Sequence, residues 1–297
     1  MKILLFGKNG QVGHELLRSL SPLGEIIALD RREADFENKD ALRRTISTHA
    51  ADVIVNAAAY TAVDQAESEE ERAFLINAEA PAILADYARY NGSLLIHFST
   101  DYVFDGTKPS PYIETDRPNP LNAYGRSKLA GEQAVQQGGC HHFIFRTSWV
   151  YGIHGHNFIK TIWKAGKERE SLKVVADQVG TPTSAELIAD VTALSIAAFY
   201  ADLLPEGIHH LTASGTTSWY GLACYTLEKA HEKGISMKAG LNSITPIVTE
   251  EWPLPAARPR NSRLDNSALS ERLGFFLPEW SFHVDRMIEQ LVRSDAI

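Results

Sequence analysis

The first twenty residues constrain the fold most. Ile3 to Phe6 is an apolar run closed by Gly7, and from Gln11 onward Val12, Leu16, Leu17 and Leu20 recur at helical spacing. A strand, a glycine turn and a helix carry the chain back along the strand, so the next strand enters parallel to the first. The pattern then repeats. Glu25 to Asp30 and Asp52 to Ala57 read as strands around a polar helix over Lys39 to Ala50. A helix over Glu69 to Tyr90 precedes a strand over Ser93 to Phe98, and a helix over Asn122 to Gln137 precedes a strand over His142 to Arg146. Beyond them, strand-like Leu172 to Val175 and Ile208 to Leu211 flank a helix at Ser184 to Tyr200, with another at Ser218 to Lys233. From Gly234 to Asp265 the helical period disappears, and Pro246, Pro253, Pro255 and Pro259 keep the segment extended and loop-like. Short helices near Asn266 to Leu273 and Phe282 to Val292 close the chain.

This alternation predicts an α/β fold: a Rossmann-type doubly wound sheet of about seven mostly parallel strands, with a smaller C-terminal substrate-binding lobe. The expected division gives residues 1–148, continued by about 173–233, to a dinucleotide-binding domain. Residues 149–172 and 234–297 form the second lobe, with substrate between the two. A net charge of -8 opposes any chain-wide attraction to nucleic acid or anionic lipid. The two cysteines, Cys140 and Cys224, fit neither a disulfide framework nor CxxC spacing, which suits a reducing cytoplasm. The apolar run at the N-terminus is too short for a secretory leader, and no later run approaches the ~18 residues of a membrane span. A cytoplasmic protein with no membrane partner is expected.

Three groups of residues carry chemistry. In GKNGQVG, Gly7 permits the tight turn, Gly10 lets backbone approach a pyrophosphate, and Gly13 allows close packing, while the helix N-terminus supplies free N–H groups. The spacing is GxxGxxG rather than GxGxxG, so its position between strand and helix matters more than the pattern. Asp30, at the end of the second strand, is placed to accept from a ribose hydroxyl. Arg31 and Arg32 beside it would suit a 2′-phosphate, which leaves NADPH and NADH both open. Tyr124 and Lys128 stand four apart on one helix face, where an ammonium would lower the phenol's pKa and make it a proton donor near neutrality. Thr100, at the carboxyl end of the fourth strand, can hydrogen-bond the carbonyl oxygen that Tyr124 protonates.

GKNGQVG, NAAAYTAVD (Asn56 to Asp64), STDYVFDG (Ser99 to Gly106), NAYGRSKLAGE (Asn122 to Glu132), FRTSWVYG (Phe145 to Gly152) and RPRNSRLD (Arg258 to Asp265) together resemble the extended short-chain dehydrogenase/reductases. Within that family they are most similar to the branch that reduces dTDP-linked 4-ketosugars. The resemblance implies reduction of the C4 ketone of dTDP-4-dehydro-β-L-rhamnose to dTDP-L-rhamnose by NADPH or NADH, in the synthesis of a cell-surface sugar. By similarity Gly7, Gly10, Gln11, Val12 and Gly13 would hold the pyrophosphate, Asp30 the adenosine ribose, and Asp35 with Phe36 the adenine. Ala58, Ala59, Thr61 and Phe98 would line the rest of the groove, and Thr100, Tyr124 and Lys128 would be catalytic, Lys128 also holding the nicotinamide ribose. Asp101, Tyr102 and Trp149 would touch the sugar, and Asn157 and Arg258 the nucleotide diphosphate.

In related 4,6-dehydratases a Thr-Asp-Glu run supplies the acid and base that eliminate water. Here Tyr102 follows Thr100-Asp101, so the second carboxylate is missing. Some members of the family are similar in an acidic Mg²⁺ site at a dimer interface, to which Glu15 and Glu186 would correspond. The family's third glutamate falls on Gln290 with Glu289 adjacent, which leaves the metal open along with the homodimer. His154 and His156 read as loop histidines. A sugar-nucleotide epimerase and a non-catalytic regulatory subunit of the same fold are the competing readings, and the intact Thr100, Tyr124 and Lys128 weigh against the latter.

Overall fold

The computed structural model describes residues 1–295. Its first half runs β1 (Lys2–Phe6), α1 (Gln11–Ser19), β2 (Glu25–Leu29), α2 (Lys39–Ser47), β3 (Val53–Asn56), α3 (Glu70–Phe74), α4 (Ala80–Asn91), β4 (Leu94–Thr100), α5 (Ala123–Gly138) and β5 (His142–Thr147). There follow β6 (Val150–Tyr151), α6 (Phe158–Glu168), β7 (Leu172–Val175), β8 (Val179–Gly180), β9 (Thr183–Ser184), α7 (Ala185–Tyr200) and β10 (Gly207–His210). Then come β11 (Thr217–Ser218), α8 (Trp219–Glu232), β12 (Ile244–Ile247), α9 (Ser267–Leu273) and α10 (Trp280–Asp295).

Six strands form one parallel sheet in the order β10-β5-β4-β3-β1-β2. Successive side chains alternate between its faces, as the pleat requires. Ile3, Leu5, Val53, Val55, Ile96 and Phe145 pack under α1 and α7, whereas Leu4, Phe6, Ile54, Leu95 and Ile144 pack under α2, α4 and α5. Both faces are covered, which is why the strands read as unbroken apolar runs. After β1 the chain moves outward to β2 and then crosses back to β3. The order therefore reverses at β1, and a crevice opens at the carboxyl ends of β1 and β3.

The main sheet has six strands, against about seven expected. β7 carries the strand signal but pairs in parallel with β12, outside the main sheet. Strand propensity specifies an extended backbone without specifying a partner. β12 is also a correction to the loop expected over Gly234 to Asp265. It accommodates Pro246 because a two-stranded ladder leaves each strand an unpaired edge. α8 packs against α6 and α10 rather than on the sheet, around Ile159, Trp163, Leu222, Val284 and Ile288. Of the stretch 173–233 assigned to the dinucleotide-binding domain, α7 and β10 join the sheet layers, while β7 pairs with β12 and α8 packs against α6 and α10. Positions 296–297 of that lobe's expected range lie outside the described residues.

The helix expected over Glu69 to Tyr90 is continuous from α3 to α4 but contains a π turn over Leu75–Glu79. Inside that turn the Asn77 amide bonds both backbone groups of Tyr60 and donates to Ser127 Oγ at 3.0 Å. One side chain thus ties the loop after β3 to α5, beside Tyr124 and Lys128.

Candidate active site

A groove runs along the carboxyl ends of the central strands in two continuous parts of about 560 and 630 Å³, which share Asn9, Gly10, Ala57, Ala59 and Thr61. Gly7 turns the chain at φ +84°, and a Cβ there would sit 2.7 Å from the Ala57 carbonyl carbon. A Cβ on Gly13 would lie 2.0 Å from the Gly7 oxygen, so α1 packs onto the turn only because both positions are glycine. Gly10 caps α1 with no side-chain capping bond, which leaves the first amides of the helix directed at the groove.

At the outer end the groove is lined by Asp30, Arg31, Asp35, Phe36, Ala58, Ala59 and Thr61. Phe36 is buried edge-on against Phe6, with centroids 5.5 Å apart. Arg32 reaches both oxygens of Asp30, through its backbone amide at 2.9 Å and its guanidinium at 2.8 Å, and Asn9 also donates at 3.2 Å. These donors hold the Asp30 carboxyl well below the usual carboxylate range. Arg31 points away to Glu37 and Asp35. The two arginines expected to act alike therefore sit in different pairs. Asn9, which contacts both parts of the groove, carried no signal in the sequence beyond its place inside a glycine motif.

The inner part is lined by Gln11, Val12, Phe98, Thr100, Asp101, Tyr102, Tyr124, Lys128 and Trp149. Asn122 caps α5 by accepting from Gly125 N at 2.7 Å, which fixes the start of the helix bearing Tyr124 and Lys128. Thr100 Oγ1 donates to Asp101 Oδ1 at 2.9 Å and lines the same groove as Tyr124. Burial pushes the Asp101 carboxyl up to about 6, against the bond from Thr100 that favours its charged form, and Asp101 Oδ2 is buried without a partner among the described residues. Tyr102 packs edge-on to Tyr124 at 5.8 Å.

One expectation is corrected here. The Tyr124 phenol is not lowered by Lys128; burial, seconded by the charge of Asp101, pushes it up to about 12. The Lys128 ammonium instead donates to the Phe98 carbonyl at 2.6 Å, and burial lowers it to about 8 against the opposing charge of Glu132. One helical turn beyond Lys128, Glu132 receives Arg146 through bonds of 2.9 and 2.6 Å and Ser99 Oγ at 2.5 Å. This buried pair locks α5 to β4 and β5.

Other expected residues lie apart from the groove. The Asn157 amide caps α6, and both its N–H groups are spent on Gln11 Oε1 and Gly152 O, so it offers a diphosphate no free donor. Arg258 is half-buried beside Tyr102 and bidentate to Asp64, at 2.6 and 2.7 Å. Ala256 N also donates to Asp64, and Asn122 Nδ2 donates to Ala257 O, so segment 256–258 is stitched across the start of α5. The candidate acidic metal residues are held in polar pairs. Arg286 takes Glu186 at 3.0 Å with Gln290 beside it, Arg18 takes Glu15 at 3.4 Å, and Glu289 pairs with Lys233. Residues 289 and 290 point about 100° apart around α10, so Gln290 rather than Glu289 meets Glu186. Among the described residues no group of three or more His, Cys, Asp or Glu could hold a metal ion, and these carboxylates do not fit Mg²⁺. His154 packs against His14 with ring centroids 3.5 Å apart and planes tilted by 41°. Among the described residues no helix is long and apolar enough to cross a membrane.

A glycine turn leading into α1, and a YxxxK helix with a threonine at the end of β4, on one parallel sheet, define an extended short-chain dehydrogenase/reductase. The family model described as the RmlD substrate binding domain matches residues 1–293. The dTDP-4-dehydrorhamnose reductase of Escherichia coli K12 is 48% identical over the full length of both chains. A solved reductase of the same name from Clostridium acetobutylicum superposes with a TM-score of 0.89 at 38% identity, covering 98% of this chain and 99% of its own. Another, from Bacillus anthracis in complex with NADP, gives 0.87 at 36%, covering 97% and 99%. The chain belongs to the dTDP-4-dehydrorhamnose reductase family.

Proposed function

We propose that this oxidoreductase reduces the C4 ketone of dTDP-4-dehydro-β-L-rhamnose to dTDP-L-rhamnose, with NADPH or NADH as the reductant. The observation that carries this reading is the convergence of Thr100, Tyr124 and Lys128 in a groove continuous with the glycine turn, with Tyr102 where a dehydratase has its second carboxylate. The groove suits a dinucleotide. Gly7, Gly10, Gln11, Val12 and Gly13 hold the pyrophosphate on the α1 amides, Asp30 and Arg32 meet the adenosine ribose, and Asp35, Phe36 and Ala58 border the adenine. Ala59, Thr61 and Phe98 continue the lining toward Lys128, which holds the nicotinamide ribose.

The bound coenzyme supplies a hydride to C4 of the sugar. The Tyr124 phenol, fully protonated at neutral pH because burial raises it, gives its proton to the carbonyl oxygen as negative charge develops there. The Thr100 hydroxyl turns from Asp101 to donate to that oxygen and fixes its direction. Asp101, Tyr102 and Trp149 shape the sugar site. The test is to follow NADPH and NADH absorbance with a panel of nucleotide-linked 4-ketosugars. Consumption of reduced coenzyme in proportion to dTDP-4-dehydro-β-L-rhamnose is expected. Conversion of the sugar without net oxidation of coenzyme would instead indicate an epimerase.

A further inference from the structure

Trp149 is one of two non-glycine residues with positive φ among those described, at +48°. A bulky side chain in the left-handed region is strained and persists only where its surroundings over-determine it. Its indole lies face to face on that of Trp219, with centroids 3.5 Å apart and planes 7° from parallel. An eclipsed sandwich is the least favoured arrangement for two aromatic rings, so outside support must hold it. That support is visible on both sides. β8 and β11 pair antiparallel, with Gly180 opposite Thr217, and this ladder places Gly180 against Trp149 while α8 begins at Trp219. A Cβ on Gly180 would lie 2.5 Å from Trp149 Cε2, so only glycine lets the ring sit there. Trp219 is fixed in turn by its Nε1 donating to the buried Gln178 Oε1 at 3.2 Å and by Phe158 packed at 4.6 Å. Both indoles line the inner groove with Thr100 and Tyr124.

We infer that Trp219 and Gly180 are positioning residues that clamp Trp149 in its strained orientation, making it a rigid wall of the sugar site. The clamp itself is a statement about the free enzyme, while its effect on the sugar rests on the ketoreductase reading above. A fixed aromatic wall costs no ordering when the sugar binds, so loosening it weakens sugar binding and leaves the dinucleotide end alone.

The experiment uses the full-length enzyme with Trp219→Leu, Trp219→Phe and Gly180→Ala. Near-ultraviolet circular dichroism of the free enzyme reads the coupled indoles. Steady-state kinetics read KM separately for the dTDP-ketosugar and for NADPH. The Leu and Ala variants should lose the coupled signal and raise the sugar KM by about tenfold, the scale of one aromatic contact, with the NADPH KM unchanged. Trp219→Phe, which keeps a flat face, should recover much of the sugar affinity. Gly180→Ala leaves Trp219 in place, so a shared defect cannot come from loss of that indole alone. Persistence of the coupled signal in the Ala variant, an unchanged sugar KM in the Leu or Ala variant once the signal is lost, or equal rises in both KM values would overturn the inference. If the parent enzyme reduced no ketosugar, the functional reading would fail, while the dichroism would still decide whether the clamp exists.

Discussion

Glu132→Gln removes one charge from the pair that locks the catalytic helix to the sheet. Glu132 is 1% exposed and Arg146 2%, so solvent screens neither partner. Both carboxylate oxygens are engaged by Arg146, and Arg146 Nη1 has no partner among the described residues that could take over. The variant would therefore leave a guanidinium buried without its counter-charge, which costs ~3–5 kcal/mol. With ~2.1 cal/mol/K of unfolding entropy per residue, 297 residues give roughly 0.6 kcal/mol/K. The expected fall in Tm is therefore ~5–8 °C. Thermal melts of parent and variant by far-ultraviolet circular dichroism read it directly. The double change Glu132→Leu with Arg146→Met should recover much of the loss, because apolar groups of similar volume need no counter-charge there. A single-variant shift below ~2 °C, about 1 kcal/mol, would refute the reasoning.

Tyr124→Phe should lower kcat by roughly 10²–10⁴-fold with little change in sugar affinity, since the hydroxyl acts on charge that develops in the reaction. Near-parent turnover of the purified variant would remove Tyr124 as proton donor. Asp101 has a folded-state pKa of about 6, raised by burial, so its contribution favours the fold at low pH and is lost as pH rises through about 6. Asp101→Asn should then be more stable above pH 6 by up to ~3 kcal/mol, at ~1.4 kcal/mol per pKa unit, the gain shrinking toward pH 4; a difference constant from pH 4.5 to 8 would contradict it. Neutralising Arg31 and Arg32 together should weaken NADPH by ~1–3 kcal/mol more than NADH, because of the two coenzymes only NADPH brings a 2′-phosphate that can draw these guanidiniums from their carboxylate partners. Equal losses by isothermal titration would show that they read no phosphate.

The parts of the site visible in the sequence are those encoded within one short segment. Gly7 and Gly13 are legible because a tight turn and a close helix approach each exclude a side chain. Tyr124 and Lys128 are legible because four residues along a helix share a face. What the sequence hid depends on contacts between distant residues. Nothing local tells LKVV at 172–175 that its partner is Ile244–Ile247 rather than the main sheet. Asn157 looks the same as a ligand-binding asparagine or as a helix cap, and only the neighbouring Gln11 and Gly152 decide. The phenol–ammonium argument for Tyr124 failed for a related reason: four-residue spacing brings Lys128 to the right face, but the Phe98 carbonyl claims its ammonium. Trp219 had no signal at all, since its meaning lies in Trp149, 70 positions earlier.

The central claim is that reduced coenzyme and sugar C4 exchange a hydride in this groove. The direct measurement supplies the enzyme with NADPH carrying deuterium at the reactive C4 position and with dTDP-4-dehydro-β-L-rhamnose, and locates the label in the product by NMR. The account predicts deuterium at C4 of dTDP-L-rhamnose, with one coenzyme oxidised for each sugar. Product bearing only solvent-derived hydrogen at C4, or label retained on the coenzyme while the sugar is consumed, would contradict it.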